Sequence, residues 1–139
     1  MHKLSGKPQI IKIITLDSTG DIPSYLSELH LESLINPLTQ ECHMPLSEHF
    51  TDDAFIYLVR PHYSHGNLLQ AMKIMRVNLL AEKELKSGAK PVLSALNSIH
   101  EAGYLHGNVR PQSIFIHRSD CGEINIALGK YEFCCPIDL

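Results

Sequence analysis

The sequence predicts a mixed α+β domain, and three observations favour this fold class. Short β-branched or apolar runs alternate with segments of helical periodicity along the 139 residues. Turn residues, such as those of Asp17–Gly20 and Asn36-Pro37, separate these segments. The resulting order is strand, helix, strand, short helix, long helix and hairpin, which supports an α+β architecture without specifying it further.

The first half of the chain predicts two strands with a helix between them. Residues Gln9–Leu16 form a β-branched run with one lysine, a pattern typical of a buried strand. A helix is expected over Tyr25–Ile35, capped by Asp21 or Ser24. Its residues at helical spacing include Leu26, Leu29 and Leu34. After a polar stretch with room for one short strand, Ala54–Val59 predicts the next strand.

The second half predicts two helices. A short helix is expected over Leu68–Met75, and a long one over Ala81–Ala102 with Gly103 just past its end. Pro91 inside the long helix predicts a kink near Ser87, because proline removes one backbone hydrogen bond. The apolar stripe of the long helix comprises Leu85, Ala89, Val92, Leu96 and Ile99.

A hairpin is expected after the long helix. Ser113–His117 and Glu123–Ala127 read as its two strands, and Ser119–Gly122 has the residues of the turn between them.

Composition and charge argue against several classes of function. The net charge is -3, and no block of basic residues suggests nucleic acid. No apolar stretch reaches the roughly 18 to 20 residues of a membrane span. These features predict a cytoplasmic protein, with the nucleus as a second location.

No metal site is expected, although the chain has nine histidines. No two of them form an H-E-x-x-H pair on a helix. Cys42-His43 with His49 would be half of a zinc site, but no second ligand pair follows at a usable spacing.

The most specific motif runs from His100 to Ile116 and reads H-E-A-G-Y-L-H-G-N-V-R-P-Q-S-I-F-I. It resembles the catalytic loop of protein kinases, in which a long helix ends at L-H-x-x-G-x-x-H-R-D-x-K-P-x-N-I-x-I. The matching positions are His100, Gly103, His106, Pro111 and Ile114–Ile116. Their joint spacing favours kinase ancestry.

The residues that perform chemistry in the kinase loop are replaced here. The resemblance puts Asn108 at the position of the catalytic aspartate, and an amide cannot accept the proton of the substrate hydroxyl. Ser113 stands where the family has a magnesium-binding asparagine. Arg110 replaces the loop lysine and keeps its charge but not its geometry.

The strand before Gly129 occupies the place of the kinase D-F-G motif. Either Ala127 or Leu128 takes the aspartate position, depending on a one-residue choice of alignment. Neither supplies a carboxylate for magnesium. The resemblance therefore implies no catalytic residue, no metal and no enzymatic activity, which is the pattern of a pseudokinase.

Two residues upstream resemble the ion pair of the kinase nucleotide site. Ile10-Ile11-Lys12 is similar to the V-A-I-K strand, whose lysine contacts the nucleotide phosphates. Glu28 matches the helix glutamate that pairs with that lysine. Alternatively, both are ordinary solvent-facing charges, but the loop motif favours the pair.

The strand Phe55–Val59 and the residues after it resemble the fifth strand and hinge of kinases. Arg60 then falls at the gatekeeper position, behind the adenine pocket. Its guanidinium would fill the pocket, extend to solvent, or pair with Glu28 in competition with Lys12. A degenerate nucleotide site would comprise Lys12, Glu28, Arg60, His62 and Tyr63. No cofactor is expected there; ATP binding stays open, without magnesium.

Among kinases, the chain looks most similar to the STRAD-type adaptor pseudokinases, with their degenerate H-R-S-V-K-A-S loop and L-S-G-L in place of D-F-G. His106–Ser113, Ile126–Gly129 and Tyr25–His30 carry this resemblance. It implies a catalytically inactive adaptor that binds a serine/threonine protein kinase of the liver-kinase-B type. The adaptor activates that kinase allosterically, together with an armadillo-type scaffold protein.

The expected architecture is a partial protein kinase-like fold. Residues 9–59 would be the N-lobe remnant with helix C, 60–67 the hinge, and 68–139 the start of the helical C-lobe through the catalytic-loop hairpin. No G-x-G-x-x-G precedes Lys12 and no A-P-E follows the hairpin, which predicts a truncated chain whose long helix has an exposed stripe. Alternatives are an inactive nucleotide-binding module and a non-functional fragment.

Overall fold

The computed structural model describes residues 6–16, 21–34, 42–75, 82–118 and 124–138. Its largest sheet has three antiparallel strands in the order β1-β3-β2. These strands are β1 (Gln9–Thr15), β2 (Glu48–Thr51) and β3 (Phe55–Pro61). β1 and β3 pair over seven residues each, with Lys12 opposite Leu58. β-branched and aromatic residues are frequent in both strands, which suits a pleated sheet.

The helix α1 (Asp21–Leu34) confirms the predicted helix and begins at the proposed cap residue. Leu29 packs against a small core formed with the sheet by Ile14, Ile56 and Leu58. Leu31 is fully buried in a second, larger core. The predicted apolar face is wrong at Leu26 and Leu34, which are exposed because the inward side of α1 runs through Leu31.

A strand was expected at Gln9–Leu16 and is present as β1, but the expectation that it is buried is wrong. Of the β1 residues only Ile14 is buried, whereas Ile11 and Ile13 are 56% and 60% exposed. Successive side chains of a strand point to opposite faces, so these two isoleucines lie on the face away from Ile14. That face is open to solvent within the described part of the chain.

Two further helices follow the sheet, as predicted. They are α2 (Leu68–Met75) and α3 (Glu82–Glu101), and α3 continues through Pro91. Gly103 has a φ of 81°, in the left-handed region that glycine adopts readily past a helix end. The kink expected near Ser87 stays a prediction.

The expectation that the α3 stripe is exposed is wrong for Val92, Leu96 and Ile99, although Ala89 is exposed. Val92 and Ile99 are buried and Leu96 is partly buried, while the outward residue is Leu93. Val92 and Ile99 belong to the larger core, and Leu96 packs against it. The core also includes Leu31, Ala95, Tyr104, Leu128, Tyr131 and Cys134. The stripe is covered because the hairpin that follows folds back along α3. The side chain of Leu85 lies outside the described residues.

Two small antiparallel pairs of strands are also present among the described residues. The predicted hairpin is formed by β5 (Ile114–Arg118) and β6 (Ile124–Leu128), and its expected turn lies outside the described residues. A second pair joins β4 (Tyr104–Leu105) to β7 (Cys135–Pro136). The mixture of helices with small antiparallel sheets confirms the α+β class.

A reciprocal cap at the start of α2 gives a first testable prediction. The backbone N–H of Gln70 donates to Oδ1 of Asn67, and the backbone N–H of Asn67 donates to Oε1 of Gln70, both at 3.0 Å. We expect Asn67→Ala to lower the free energy of unfolding by about 1 kcal/mol, measured by urea denaturation. Asn67→Ser keeps an acceptor oxygen and should lose less. Equal midpoints for the alanine variant and the original chain would contradict the prediction.

Candidate functional site: a buried ion cluster at helix α1

Arg60, near the end of β3, is buried and binds two carboxylates of α1. Its Nη2 donates to the carboxylate of Glu28, which is itself buried, and to Oε1 of Glu32 at 2.5 Å. Its Nη1 donates to the backbone carbonyl of Met44 at 2.9 Å. We call Glu28, Glu32 and Arg60 the buried ion cluster. It connects α1 to the central strand of the sheet.

Local geometry explains why these residues meet. Glu28 and Glu32 are four residues apart in α1, so their side chains share one face of the helix. The planar guanidinium of Arg60 offers several donors, which lets one side chain bind two carboxylates and a carbonyl. The ring of Tyr131 lies beside it, with the guanidinium carbon 5.9 Å from the ring centroid.

Electrostatics keep the arginine charged. Burial alone would lower the pKa of Arg60, but the carboxylates of Glu32 and Glu28 outweigh it and raise the pKa. Burial raises the pKa of Glu32 above its ordinary value even though Arg60 acts in the opposite direction. The cluster has two carboxylates against one guanidinium, so a further cation nearby is stabilising.

Lys12 supplies that cation at the edge of the cluster. Its Nζ lies 3.8 Å from Oε2 of Glu28 and 3.8 Å from Oε2 of Glu132, and its side chain is 43% exposed. The structure thus brings the predicted pair Lys12 and Glu28 together. Of the alternatives for Arg60, it shows the pairing with Glu28. Arg60 is the closer and more deeply buried partner.

The other two residues of the expected nucleotide site, His62 and Tyr63, make their described contacts with residues outside the buried ion cluster. His62 is exposed, and its backbone N–H donates to the carbonyl of Pro8 at 3.1 Å. Tyr63 packs against Phe115 and His117, with ring centroids 6.0 and 6.2 Å away. Nucleotide binding by these five residues stays a prediction.

The kinase-like loop is held by hydrogen bonds through the buried His106. Its Nε2 donates to the carbonyl of Gly129 at 2.9 Å, and its Nδ1 accepts from the backbone N–H of Asn108 at 3.2 Å. Burial lowers the pKa of His106, although the Gly129 carbonyl and Glu132 act in the opposite direction. The hydroxyl of Ser113 donates to the carbonyl of Asn108 at 2.7 Å. Asn108 Nδ2 is buried without a hydrogen-bond partner among the described residues.

Gly107 makes a close backbone contact within this loop. Its φ is 73°, and a β-carbon at this position would lie 2.6 Å from the carbonyl oxygen of Phe133. Both observations favour glycine, because a side chain here is strained and collides with backbone. The loop and the turn Tyr131–Phe133 are therefore packed against each other.

Both candidates for the D-F-G aspartate position are buried apolar residues of β6. Leu128 is fully buried in the larger core with Leu31 and Ile99, and Ala127 is 1% exposed. The backbone N–H of the following Gly129 donates to the carbonyl of Ser113 at 2.9 Å. This hydrogen bond joins the end of β6 to the kinase-like loop.

A buried histidine and tyrosine form a polar pair that no sequence motif had signalled. The hydroxyl of Tyr131 donates to the carbonyl of Leu128, so the Nδ1–H of His43 donates to the tyrosine oxygen at 2.9 Å. Nε2 of His43 is then an acceptor, buried and without a hydrogen-bond partner among the described residues. Burial, with the charge of His106, lowers the pKa of His43 to about 4.

The described residues contain no group of three or more histidine, cysteine, aspartate or glutamate side chains placed to hold a metal ion. The half-site suggested by Cys42, His43 and His49 is not assembled there. Within the same residues, no helix combines the length and apolarity needed to cross a bilayer.

Comparison with known proteins finds kinases. No protein-family model matches the chain. It is 33% identical to human myotonin-protein kinase over 78 residues, which are 56% of this chain and 12% of that protein. It is 34% identical to human serine/threonine-protein kinase VRK3 over 86 residues, 60% of this chain and 18% of that protein. The maternal embryonic leucine zipper kinase of Danio rerio is 28% identical over 134 residues, 96% of this chain and 18% of that protein.

These relatives correct one expectation from the sequence. The chain was expected not to be an enzyme, but the proteins it matches are named as kinases, and this contradicts that expectation. The chain spans less than a fifth of the length of each of them. Partial and weak homology to several serine/threonine protein kinases supports a kinase-like fold for this chain.

Proposed function

We propose that this chain is a kinase-like module that binds a serine/threonine protein kinase and stimulates it within a signalling complex. The STRAD-type adaptors, which it resembles, suggest this role. The observation that supports it best is the buried ion cluster. An active protein kinase needs the glutamate of its C-helix turned inward to meet the strand lysine. Here Arg60 binds the corresponding Glu28 from inside the protein.

Such an anchor does not depend on a bound nucleotide. All three charged groups of the cluster belong to the chain, and Lys12 adds only a longer, half-exposed contact. The helix α1 is thereby held in one position on the sheet. A helix fixed in this way presents a constant surface to a partner, which is what an allosteric activator requires.

The outward side of α1 supplies a surface for that partner. Leu26 and Leu34 are 57% and 45% exposed, although they belong to a helix whose other leucines are buried or partly buried. Exposed apolar residues on a fixed helix are suited to burial in a protein interface. By resemblance, the partner is a kinase of the liver-kinase-B type, assembled with an armadillo-type scaffold in the cytoplasm or the nucleus.

Reconstitution tests the proposal. The full chain, a liver-kinase-B-type kinase and an armadillo-type scaffold are mixed, and phosphorylation of a peptide substrate of the kinase is measured. We expect the chain to raise the rate of peptide phosphorylation by the kinase. The double variant Leu26→Glu, Leu34→Glu should raise that rate less, without a lower unfolding midpoint. Leu93→Glu, at an exposed position of α3, is the matched control. A rate that stays constant as the chain is added to saturation would exclude this function.

The names of the relatives favour a second candidate, which is phosphoryl transfer by the chain itself. The same reactions without the partner kinase test it. Labelled phosphate transferred from ATP by the chain alone, and lost in Lys12→Met, would support this candidate. Phosphate incorporation equal to that of a protein-free control would exclude it.

A further inference from the structure

Strand β1 lies at an edge of the three-stranded sheet. It pairs with β3 on one side, and the described residues contain no strand on its other side. Edge strands are commonly protected from further pairing by a proline, a bulge or short length. β1 has seven residues, contains no proline and pairs with β3 in an uninterrupted register. Its free edge is therefore open to pairing with another strand.

The hydrogen bonds at the two ends of β1 show which backbone groups point away from β3. The backbone N–H of His62 donates to the carbonyl of Pro8 at 3.1 Å. At the other end, the backbone N–H of Leu16 donates to the carbonyl of Ala54 at 2.8 Å. Hydrogen-bonded pairs alternate along an antiparallel ladder, so the even-numbered residues of β1 bond to β3. The N–H and C=O groups of the odd-numbered residues point to the free edge, and these residues are Gln9, Ile11, Ile13 and Thr15.

The sequence of β1 is complementary to itself in the antiparallel direction. Residues 10–14 read I-I-K-I-I, which is the same in both directions about Lys12. When two such strands pair with Lys12 opposite Lys12, every isoleucine of this run faces an isoleucine of the other strand. The same register places Ile11 opposite Ile13, and the backbone groups of both residues point to the free edge, as a hydrogen-bonded pair requires.

We propose that two copies of this chain form a symmetric dimer by antiparallel pairing of their β1 edges, with Lys12 opposite Lys12. A two-fold axis relates the copies, and the two sheets join into one. Ile11 and Ile13 are 56% and 60% exposed in the single chain, and across the axis they cover each other. The assembly ends at two copies because the other edge strand, β2, has only four residues and begins with Glu48.

The two lysines at the centre of the interface oppose the pairing, because like charges directly opposite each other are destabilising. Within each chain, Nζ of Lys12 lies 3.8 Å from Oε2 of Glu28 and 3.8 Å from Oε2 of Glu132. These two carboxylates offset the repulsion between the lysines. The dimer is independent of the proposed kinase-binding function, since it uses the edge of β1 and not the outward side of α1.

Analytical ultracentrifugation of the full chain over a range of concentrations tests the interface. We expect the mass to rise with concentration from 15.6 kDa to twice that value and no further. In the double variant Ile11→Lys, Ile13→Lys, lysines face lysines across the axis. Its dimer dissociation constant should be at least about 10-fold higher than that of the original chain.

A charge-matched double variant tests the register. In Ile11→Glu, Ile13→Lys, each introduced glutamate faces an introduced lysine of the other copy, so this variant should dimerise. Any other register that keeps the same hydrogen-bonding groups together loses this match. A monomeric Ile11→Glu, Ile13→Lys chain with the original unfolding midpoint would overturn the proposed pairing.

Phe50→Lys is the matched control for a general loss of exposed apolar surface. Phe50 and Ile13 both lie opposite Tyr57, so they share one face of the sheet, and Phe50 is 48% exposed on β2. This variant should dimerise like the original chain. Equal dissociation constants for the original chain and the Ile11→Lys, Ile13→Lys variant would overturn the proposal. An original chain that stays monomeric up to its solubility limit, or that assembles beyond two copies, would overturn it as well.

Discussion

Replacing Arg60 with methionine is expected to lower the free energy of unfolding by about 3 to 5 kcal/mol, because two carboxylates then stay buried without their cation. Glu28 is 3% exposed and Glu32 has lost most of its contact with water, so neither is well solvated in the folded state. Lys12→Met removes a longer and half-exposed contact, so it should lower the free energy of unfolding by at most about 1 kcal/mol. Urea denaturation of the two variants measures this difference.

A combined variant separates charge burial from packing. If unpaired carboxylates cause the loss, adding Glu28→Gln and Glu32→Gln to Arg60→Met should recover most of the stability. If the loss comes from missing contacts with Tyr131 and Met44, the triple variant stays as unstable as Arg60→Met. Equal losses in Arg60→Met and Lys12→Met would contradict the idea that Arg60 is the principal anchor of α1.

Acidification is expected to destabilise the fold through His43. Its pKa is lowered to about 4 in the folded chain, so between pH 6.5 and pH 4 the unfolded chain binds a proton that the folded chain does not. Stability is therefore fully present above about pH 6.5 and falls as the pH decreases through this window. The full contribution of one histidine with this shift is about 3 kcal/mol. Unfolding free energies measured from pH 7 to pH 4 would show it.

The test compares variants, because other groups also titrate in this range. Burial lowers the pKa of His106 as well, which adds to the loss, whereas the raised pKa of Glu32 opposes it. In His43→Asn the amide nitrogen can still donate to the hydroxyl of Tyr131. The unfolding free energy of this variant should change less steeply with pH than that of the original chain. His49→Asn, at an exposed position of β2, should keep the original slope. Parallel curves for all three proteins would disprove the assignment to His43.

Local patterns predicted the elements of this fold well. The bounds of α2 were predicted to the residue and those of α3 to within one, since periodicity and terminal residues specify a helix locally. The kinase-like motifs also predicted the pair Lys12 and Glu28. They gave the pairing of Arg60 with Glu28 as one of three alternatives. Burial was predicted less well, since it depends on which element covers a face. Ile11 and Ile13 were expected to be buried but are exposed, whereas Val92 and Ile99 were expected to be exposed but are buried.

Other parts of the site had no local signal. Glu32 joins the cluster through its four-residue spacing from Glu28, a pattern that many solvated helices share. His43 and Tyr131 are 88 positions apart, so only the folded chain reveals that they meet. The expectation that the chain is not an enzyme came from the residues at Asn108 and Ser113. The proteins that the chain matches are named as kinases, which contradicts that expectation.

The contact at Gly107 limits which residues this position accepts. In the kinase motif that the loop resembles, the same position is an arginine, and here a β-carbon would lie 2.6 Å from the carbonyl oxygen of Phe133. Arginine therefore cannot be accommodated at position 107 unless the turn Tyr131–Phe133 moves away from the loop. An engineered chain that carries the kinase motif here needs compensating substitutions in that turn, so the two segments have to be redesigned together.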